Sequence, residues 1–556
     1  MSGIPQKPIT DPESSTSGND STRVPSVPPV SSNSRSQAET NFSGKGNALI
    51  ADIGWDICLV GGIVTLAVLL RLWHLSALTD NYDEGVYWAS LRALHAGDSL
   101  FTPVFSSQPP FFLLSMVPLV DVLGPTLVAG RLSIVLFSLL GILAMYALGR
   151  RLGGRWVGFG AALLLAVDHL YLIQSQTIQA EAPSTALMIV AVTAASFADR
   201  APWQASLLSG VATTLAILTK LFAVVAIVPI LLLFLGQMIQ MSKRKQAPWL
   251  HWGLRVIGCY LLGFLATGAL LLLPHLGHLQ QLYAQVIAFH LDAARAFPSS
   301  LSENFSLIIH TQAEYPLLVI ALAGVVIGLL RKQWNMLIAV SWVLAALVVL
   351  LQQAPLFDHH LVLLVPGLAL TASLGLAPRD NAMQTSVEYL EYPHFRLPTF
   401  LRIFSPSMSA KSVLILRVGL PILLLCGVVA FALHTNLRYP LGIPAAQVAT
   451  LTAAANDLKT LTTPDQLVIA DDQYVADMAE RSVPPELVDT SFVRIQTGYL
   501  TTAQVIALAE QPQVGAILFY TGRFDQLSGF RAWVEGHFHL AREYGDGRAL
   551  YLPGAP

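Results

Sequence analysis

Four carboxylates, Asp80, Asp83, Glu84 and Asp98, crowd one polar stretch, TDNYDEGVYWASLRALHAGDSL, that follows the first long apolar run. A carboxylate beside an apolar wall holds its proton more tightly than in water and can serve as a general base. The same residues have a structural alternative. Asp80 or Asn81 can cap a helix that begins near Asp83, and early acids suit a helix N-terminus. Further on, SSQPPFFLL (106–114) places Gln108 ahead of a Pro-Pro pair, which fixes an extended turn before an apolar helix. QSQTIQAEAPSTALMIV carries Glu181, the sole formal charge between Asp168 and Asp199. A lone acid at a bilayer boundary is costly unless paired or wet, which makes Glu181 a candidate site residue. Asp168 and His169 lie near the same edge, and pairing with Arg131 inside the bundle is their structural alternative.

Lys220 is the only basic residue between Arg200 and Lys243, and it ends the apolar run LLSGVATTLAILTK. It can snorkel to the interface or hold a phosphate as a point charge. DHHLVLLVP (358–366) sets Asp358, His359 and His360 at the end of another apolar run. Adjacent helical residues point about 100° apart, so a joint metal chelate by the two histidines is disfavoured. One histidine donating to a phosphate or a sugar is the better reading. No metal site is assigned.

These residues need elements to hold them. The chain has 556 residues, of which 54% are hydrophobic and only 12% charged. A soluble domain carries about a quarter charged residues. Mean hydropathy is +0.58. A soluble enzyme, a disordered scaffold and a secreted disulfide mini-domain are therefore excluded. Net charge is −2, so nucleic acid is not an expected partner. Cys58, Cys259 and Cys426 all sit in apolar runs and read as core or lipid-facing residues.

Residues 1–50, rich in Ser, Pro, Thr and Gly, read as a disordered tail. From 51 to 435 the chain is a series of apolar runs of the length a bilayer requires. They fall near 53–73, 128–149, 156–173, 183–199, 203–219, 221–239, 252–273, 315–331, 334–352, 360–376 and 412–434, about eleven transmembrane helices. The positive-inside rule sets sidedness. If 109–124 does not span, the basic clusters at Arg150, Arg151 and Arg155, at Lys243, Arg244 and Lys245, at Arg331 and Lys332, and in 377–411 share the cytoplasmic side with the N-terminus. The 109–124 segment is then an amphipathic or re-entrant element at the outer surface. Residues 436–556 regain charge and alternate helix and strand patterns, with strands over 466–470, 515–520 and 548–552 and helices over 445–461, 501–511 and 524–538. They read as a small extracytoplasmic α/β domain. The candidate residues then come from separate segments that all meet the outer boundary. A polar site at that depth suits a substrate with a lipid tail and a polar head.

The run from Asp83-Glu84 through the Pro-Pro element, RRLGGRWVGFGAALLLAVDHLYLIQSQ, a second acid and a Lys-ended helix resembles the GT-C glycosyltransferases. The similar branch is family 39, the protein O-mannosyltransferase and aminoarabinose-transferase group, in its bacterial form. The resemblance covers about residues 53–376, and 467–501 also looks like the outer domain of bacterial members. It implies a GT-C fold and transfer of a sugar from a polyprenyl-phosphate carrier to a glycan, lipid or protein acceptor at the outer face of the plasma membrane. It implies Asp83 as the catalytic base and Glu181 as the second catalytic acid. Glu84 and Tyr87 beside Asp83, with Gln108, Lys220, His359 and His360, fall at substrate positions, Lys220 on the lipid phosphate. Gln108 stands where many members have His or Lys, Glu181 where Asp is commoner, and Gln176 and Gln179 where many have Arg. No cofactor is required, and a divalent metal stays open. Two alternatives remain: an inactive relative in envelope assembly, and a polytopic transporter. A transporter would show polar or broken helices near the midplane and two similar halves. Here the polar groups crowd one face, and no repeat is found.

Overall fold

The computed structural model describes residues 53–243, 249–314, 316–376 and 419–554. The expected tail over 1–50, the basic residues Arg244 and Lys245, and the 377–411 segment lie outside these residues.

Each expected apolar run meets a helix or a broken pair of helices. Ile53–Leu72, Leu127–Gly153, Leu221–Lys243, Trp249–Ala296 and Asp358–Leu376 are long and apolar enough to cross a bilayer. Arg155–Val167 and His169–Gln176 form a sixth span if the pair, bent by 60°, is taken as one. Glu181–Ser196, Leu317–Leu330, Met336–Gln352 and Ile422–Arg438 are shorter apolar helices. The chain is a multi-pass membrane protein. Two of the expected apolar runs are bounded or interrupted by polar residues, Asp168 and Lys220.

Asp168 makes one such break. Its backbone leaves the helical region (φ −55°, ψ 125°), and its carboxylate accepts from the Tyr171 N–H, ending one helix and capping the next. Lys220 makes another. It is extended (φ −154°, ψ 129°) between helix Pro202–Thr219 and the 3₁₀ turn Leu221–Ala226.

Helices Glu181–Ser196 and Pro202–Thr219 form an antiparallel hairpin. The Ser184 hydroxyl donates to the Ala216 carbonyl (3.2 Å), and Ser209 donates to Ala191 (2.9 Å). This pairing sets Glu181, which opens the first helix, opposite Lys220, which closes the second. Helix Pro202–Thr219 also packs tightly on Trp249–Leu272. A Cβ on Gly210 would strike the Tyr260 carbonyl, and one on Gly263 the Leu207 carbonyl, so both backbones need glycine to approach this closely.

The 109–124 segment forms two short helices, Phe111–Leu114 and Val117–Leu123. A 13-residue apolar stretch spans about 20 Å, short of a hydrocarbon core of about 30 Å. The far end of the bundle collects basic groups. Arg151 pairs with Asp199 (2.6 Å), and Arg331 donates to the Gly375 carbonyl (2.8 Å).

The C-terminal region carries one sheet, with strands β1 (Leu467–Ala470), β2 (Val514–Phe519), β3 (Phe538–Gly545) and β4 (Arg548–Pro553) in the order β1-β2-β4-β3. β1 and β2 are parallel, whereas β4 is antiparallel to both its neighbours. Helix Ala445–Leu461 forms over the expected residues. β3 was not expected. It is an edge strand with no buried residue, so FHLAREYG lacks the apolar alternation that betrays a half-buried strand.

The sheet region is tied to the first-loop helix, Tyr82–His95. The Trp88 and Tyr474 rings meet edge to face at 5.5 Å, Arg92 pairs with the buried Asp477 at 3.0 Å, and the Tyr82 hydroxyl accepts from the Thr490 N–H at 2.8 Å.

Candidate active site

The first-loop helix begins at Asn81, whose side chain accepts from the Glu84 N–H (3.2 Å). Asn81 is thus the cap, one of the two candidates for it in the sequence. Asp83 and Glu84 follow as neighbours but face different surroundings.

Glu84 is fully buried and saturated. Arg131 grips it with two hydrogen bonds (2.7 and 2.6 Å), Thr79 donates to it (2.7 Å), and so does the Ile178 N–H (2.9 Å). Arg131 in turn donates to the Leu75 and Ala77 carbonyls. Both carboxylate oxygens of Glu84, which the sequence reading placed at a substrate position, are thus taken up by hydrogen bonds within the protein. Arg131 pairs with Glu84 and not with Asp168, which caps its own helix. His169 bonds the Asn436 side chain (2.7 Å).

Asp83 lies among the other candidates. Burial raises its carboxyl above the usual aspartate range; His359 and Lys220 pull it back, and Glu181 and Asp489 push it further up. Tyr87, one turn along, is raised well above the usual tyrosine value, first by burial and then by the Asp83 charge. Its hydroxyl bonds the Gln108 side chain. Gln108 is buried, and its position is fixed by a turn in which the Ser106 hydroxyl donates to the Gln108 carbonyl (2.9 Å). Asp83, Tyr87 and Gln108 thus meet at one wall.

A second group, ionic in character, lies within electrostatic reach of Asp83. The Lys220 ammonium donates to the Glu181 carboxylate, and His359 Nε2 lies 3.5 Å from the same oxygen. Lys220 also sits 5.5 Å from the Phe222 ring centroid. His360 Nδ1 accepts from the Phe357 N–H (3.3 Å), which leaves Nε2 to carry the proton of a neutral ring. Glu181, read from sequence as the second catalytic acid, is engaged by Lys220 and His359. In the 3₁₀ turn Asp358–Leu364 the two histidine rings meet edge to face, with centroids 4.4 Å apart. Ligand atoms of Glu181, His359 and His360 all lie within 4.8 Å of one another, the spacing of a metal-binding trio. A divalent ion there would have to compete with the Lys220 ammonium for the carboxylate.

Two contributors come from the C-terminal region and were not found in the sequence. Asp489 is buried and acts electrostatically on Asp83 and Tyr87. Arg494 holds its loop by donating to the Glu486 and Asp489 carbonyls and lies 4.0 Å from the centroid of Phe105. The VPPELVDT turn was the available signal, but only docking of the sheet region brings Asp489 to the site. His290 is a third, within electrostatic reach of Lys220 and His360. Gln176 turns away, donating to the Leu70, Arg71 and Trp73 carbonyls at the end of the first helix.

Residues 107–264 match the family described as dolichyl-phosphate-mannose-protein mannosyltransferase. The structure is similar to ArnT from Cupriavidus metallidurans in the apo state (TM-score 0.59, 15% identity, covering 90% of this chain and 98% of that one). It is similar to the same protein bound to undecaprenyl phosphate (TM-score 0.54, 15% identity, the same coverage). It also resembles the apo oligosaccharyltransferase of Archaeoglobus fulgidus (TM-score 0.51, 12% identity, covering 86% of this chain and 71% of that one). No curated relative matches the chain. With its acids, lysine and histidines gathered at one end of a broken-helix bundle, this membrane protein has the GT-C glycosyltransferase fold, and its residues 107–264 bear the mannosyltransferase family pattern.

Proposed function

We propose that the chain is a membrane glycosyltransferase that moves a sugar from a polyprenyl-phosphate donor to an acceptor hydroxyl at the extracytoplasmic face. One observation carries this reading: a carboxyl of raised proton affinity, Asp83, lies within electrostatic reach of a Lys220–Glu181–His359 ionic group at one end of the bundle. That end is opposite the basic cluster of Arg151 and Arg331, which the positive-inside rule assigns to the cytoplasm. The family match over 107–264 and the likeness to a structure holding undecaprenyl phosphate support the donor class.

The step is a single displacement. Asp83 takes the proton of the acceptor hydroxyl as its oxygen bonds to the anomeric carbon. The bond from that carbon to the phosphate oxygen breaks, and the electron pair leaves with the polyprenyl phosphate. Lys220 offers a positive charge to the departing phosphate, and His360 Nε2–H offers a hydrogen bond. Glu181 holds Lys220 and His359 at the position where charge develops. Tyr87 and Gln108 line the Asp83 side and orient the sugar. The mechanism draws on these side chains alone. The 436–556 region contributes Asp489 from the outer side.

The test is incubation of membranes with polyprenyl-phosphate sugars labelled in the sugar, comparing wild type with Asp83→Asn. Label should move to a glycan, lipid or protein acceptor with wild type only. Equal transfer by Asp83→Asn would remove Asp83 as the base. Label that never leaves the donor would remove the transferase reading.

A further inference from the structure

A polar cavity lies next to the residues that precede Asp83, between the first loop and the C-terminal region. Its volume is about 530 Å³, inside the range of about 300–1,000 Å³ typical of small-molecule sites. Its position is what the sheet topology selects. Ligands of open α/β sheets bind outside the carboxyl ends of parallel strands. The parallel pair β1 and β2 ends at Ala470 and Phe519, and the residues that follow, Asp472 and Tyr520 to Arg523, line the cavity. Asp471 fastens these loops together. Its carboxylate accepts from the Tyr520 N–H (2.6 Å), the Thr521 N–H (3.0 Å) and the Phe524 N–H (3.3 Å). The neighbouring Asp472 is left on the cavity wall.

The lining decides the ligand. Carboxylates come from Asp80, Asp472, Asp525 and Asp546, against the guanidinia of Arg523 and Arg548; Asp525 is paired with Arg531 (2.6 and 3.1 Å) and one oxygen of Asp472 accepts from the Tyr474 N–H, so the excess rests on Asp80, Asp472 and Asp546. Both arginines already serve the protein. Arg523 stacks 3.5 Å from the Tyr82 ring centroid, and Arg548 donates to the Tyr520 carbonyl (3.2 Å) over the Tyr520 ring. The acidic excess repels phosphates and uronates. Carboxylates that accept hydrogen bonds from hydroxyls, beside aromatic surfaces such as Tyr520, suit an uncharged sugar.

Tyr82 links the cavity to the site. It lines the cavity, precedes Asp83, and bonds Thr490, which follows Asp489. We infer that this cavity binds the non-reacting, uncharged glycan portion of the acceptor, one residue behind Asp83; this inference rests on the transferase reading above.

The test uses the full chain in nanodiscs without donor, with mannobiose, chitobiose and lactose as neutral probes and digalacturonate as an acidic one. Saturation-transfer NMR should show binding of at least one neutral disaccharide and none of digalacturonate. The double variant Asp472→Asn, Asp546→Asn keeps a helix cap at 472 and a residue tolerant of the positive φ at 546 (+52°). It should weaken the neutral signal about tenfold, the loss of hydrogen bonds to charged acceptors. Absence of neutral binding, equal binding by the double variant, or preference for digalacturonate would each overturn the inference. Sugar binding with no transfer in the labelled-donor assay would remove the transferase reading but leave a sugar site. Transfer without sugar binding would remove this cavity alone.

Discussion

The Lys220 ammonium is hydrogen-bonded to the Glu181 carboxylate across 39 residues of chain, because two antiparallel helices begin and end at these residues. Both side chains are largely withdrawn from solvent, at 11% and 4% exposure. Breaking such a pair from one side strands a charge. Lys220→Met should abolish transfer and lower thermal stability in detergent, by about 3–5 kcal/mol on the scale of broken buried pairs. Lys220→Met with Glu181→Gln should regain stability and not activity. Recovery of transfer in the double variant would remove Lys220 from the reaction.

Asp83→Asn should behave in the opposite way on stability. Transfer should fall at least about 100-fold, the value of a positioned general base. A folded-state pKa raised above the unfolded one means ionisation weakens the fold. The penalty is absent below the unfolded value of about 4 and complete above the raised folded value. At neutral pH the asparagine variant should therefore melt no lower than wild type, and higher if the penalty is relieved. A lower melting temperature would mark Asp83 as a structural acid.

Transfer should lose activity on the acid side as Asp83 takes up its proton. Because burial raises this group, the acid limb of kcat/KM should lie above the ordinary aspartate range of about 4. Activity should rise with pH through that limb. A limb at or below the ordinary range would argue for a different base.

Glu84→Gln is the contrasting variant. It leaves Arg131, with no exposed surface, facing a neutral amide. Loss of about 3–5 kcal/mol is expected, seen as poor membrane yield or a lowered melting temperature. A well-folded, inactive Glu84→Gln protein would return Glu84 to the substrate side.

Chelation distinguishes the two uses of the Glu181–His359–His360 trio. With Lys220 on the carboxylate, EDTA treatment followed by gel filtration should leave transfer within about twofold, less than the 1.4 kcal/mol that a tenfold change represents. Loss restored by a divalent ion would make the trio a metal centre.

Much of this was legible in the sequence because charge is scarce there. Asp83, Glu181, Lys220 and His359 stood out against long apolar runs, and the structure gathers them. A polytopic helical membrane architecture followed from the same runs, and the GT-C fold from the resemblance carried by the loop motifs. Helix Ala445–Leu461 and strands β1, β2 and β4 were visible through apolar periodicity. What was hidden depended on packing. Nothing local tells Asp83 from Glu84, and only Arg131 and the Ile178 N–H, 47 and 94 residues from Glu84, reveal which is taken up within the protein. Asp489 and Arg494 reach the site only once the sheet region docks on Tyr82 and Trp88. The two histidines were read apart because an α-helix separates neighbours by about 100°. Side-chain rotamers bring the rings together all the same, with Phe357 and Phe222 packed edge to face on His360.

The cap at Asn81 fixes more than a helix start. It sets the phase of the helix, and that phase decides which of two adjacent acids is locked by Arg131 and which lies within reach of Lys220 and His359. Removing one residue between Leu75 and Asn81 would turn the helix by about 100° and carry Glu84 to the station of Asp83, with Gly85 facing Arg131; adding one would carry Asp83 to Arg131 and Tyr82 to the station of Asp83. The length of this loop is therefore as much a determinant of chemistry as the identity of Asp83, and a one-residue deletion there should be silent in composition yet as damaging as losing the acid itself.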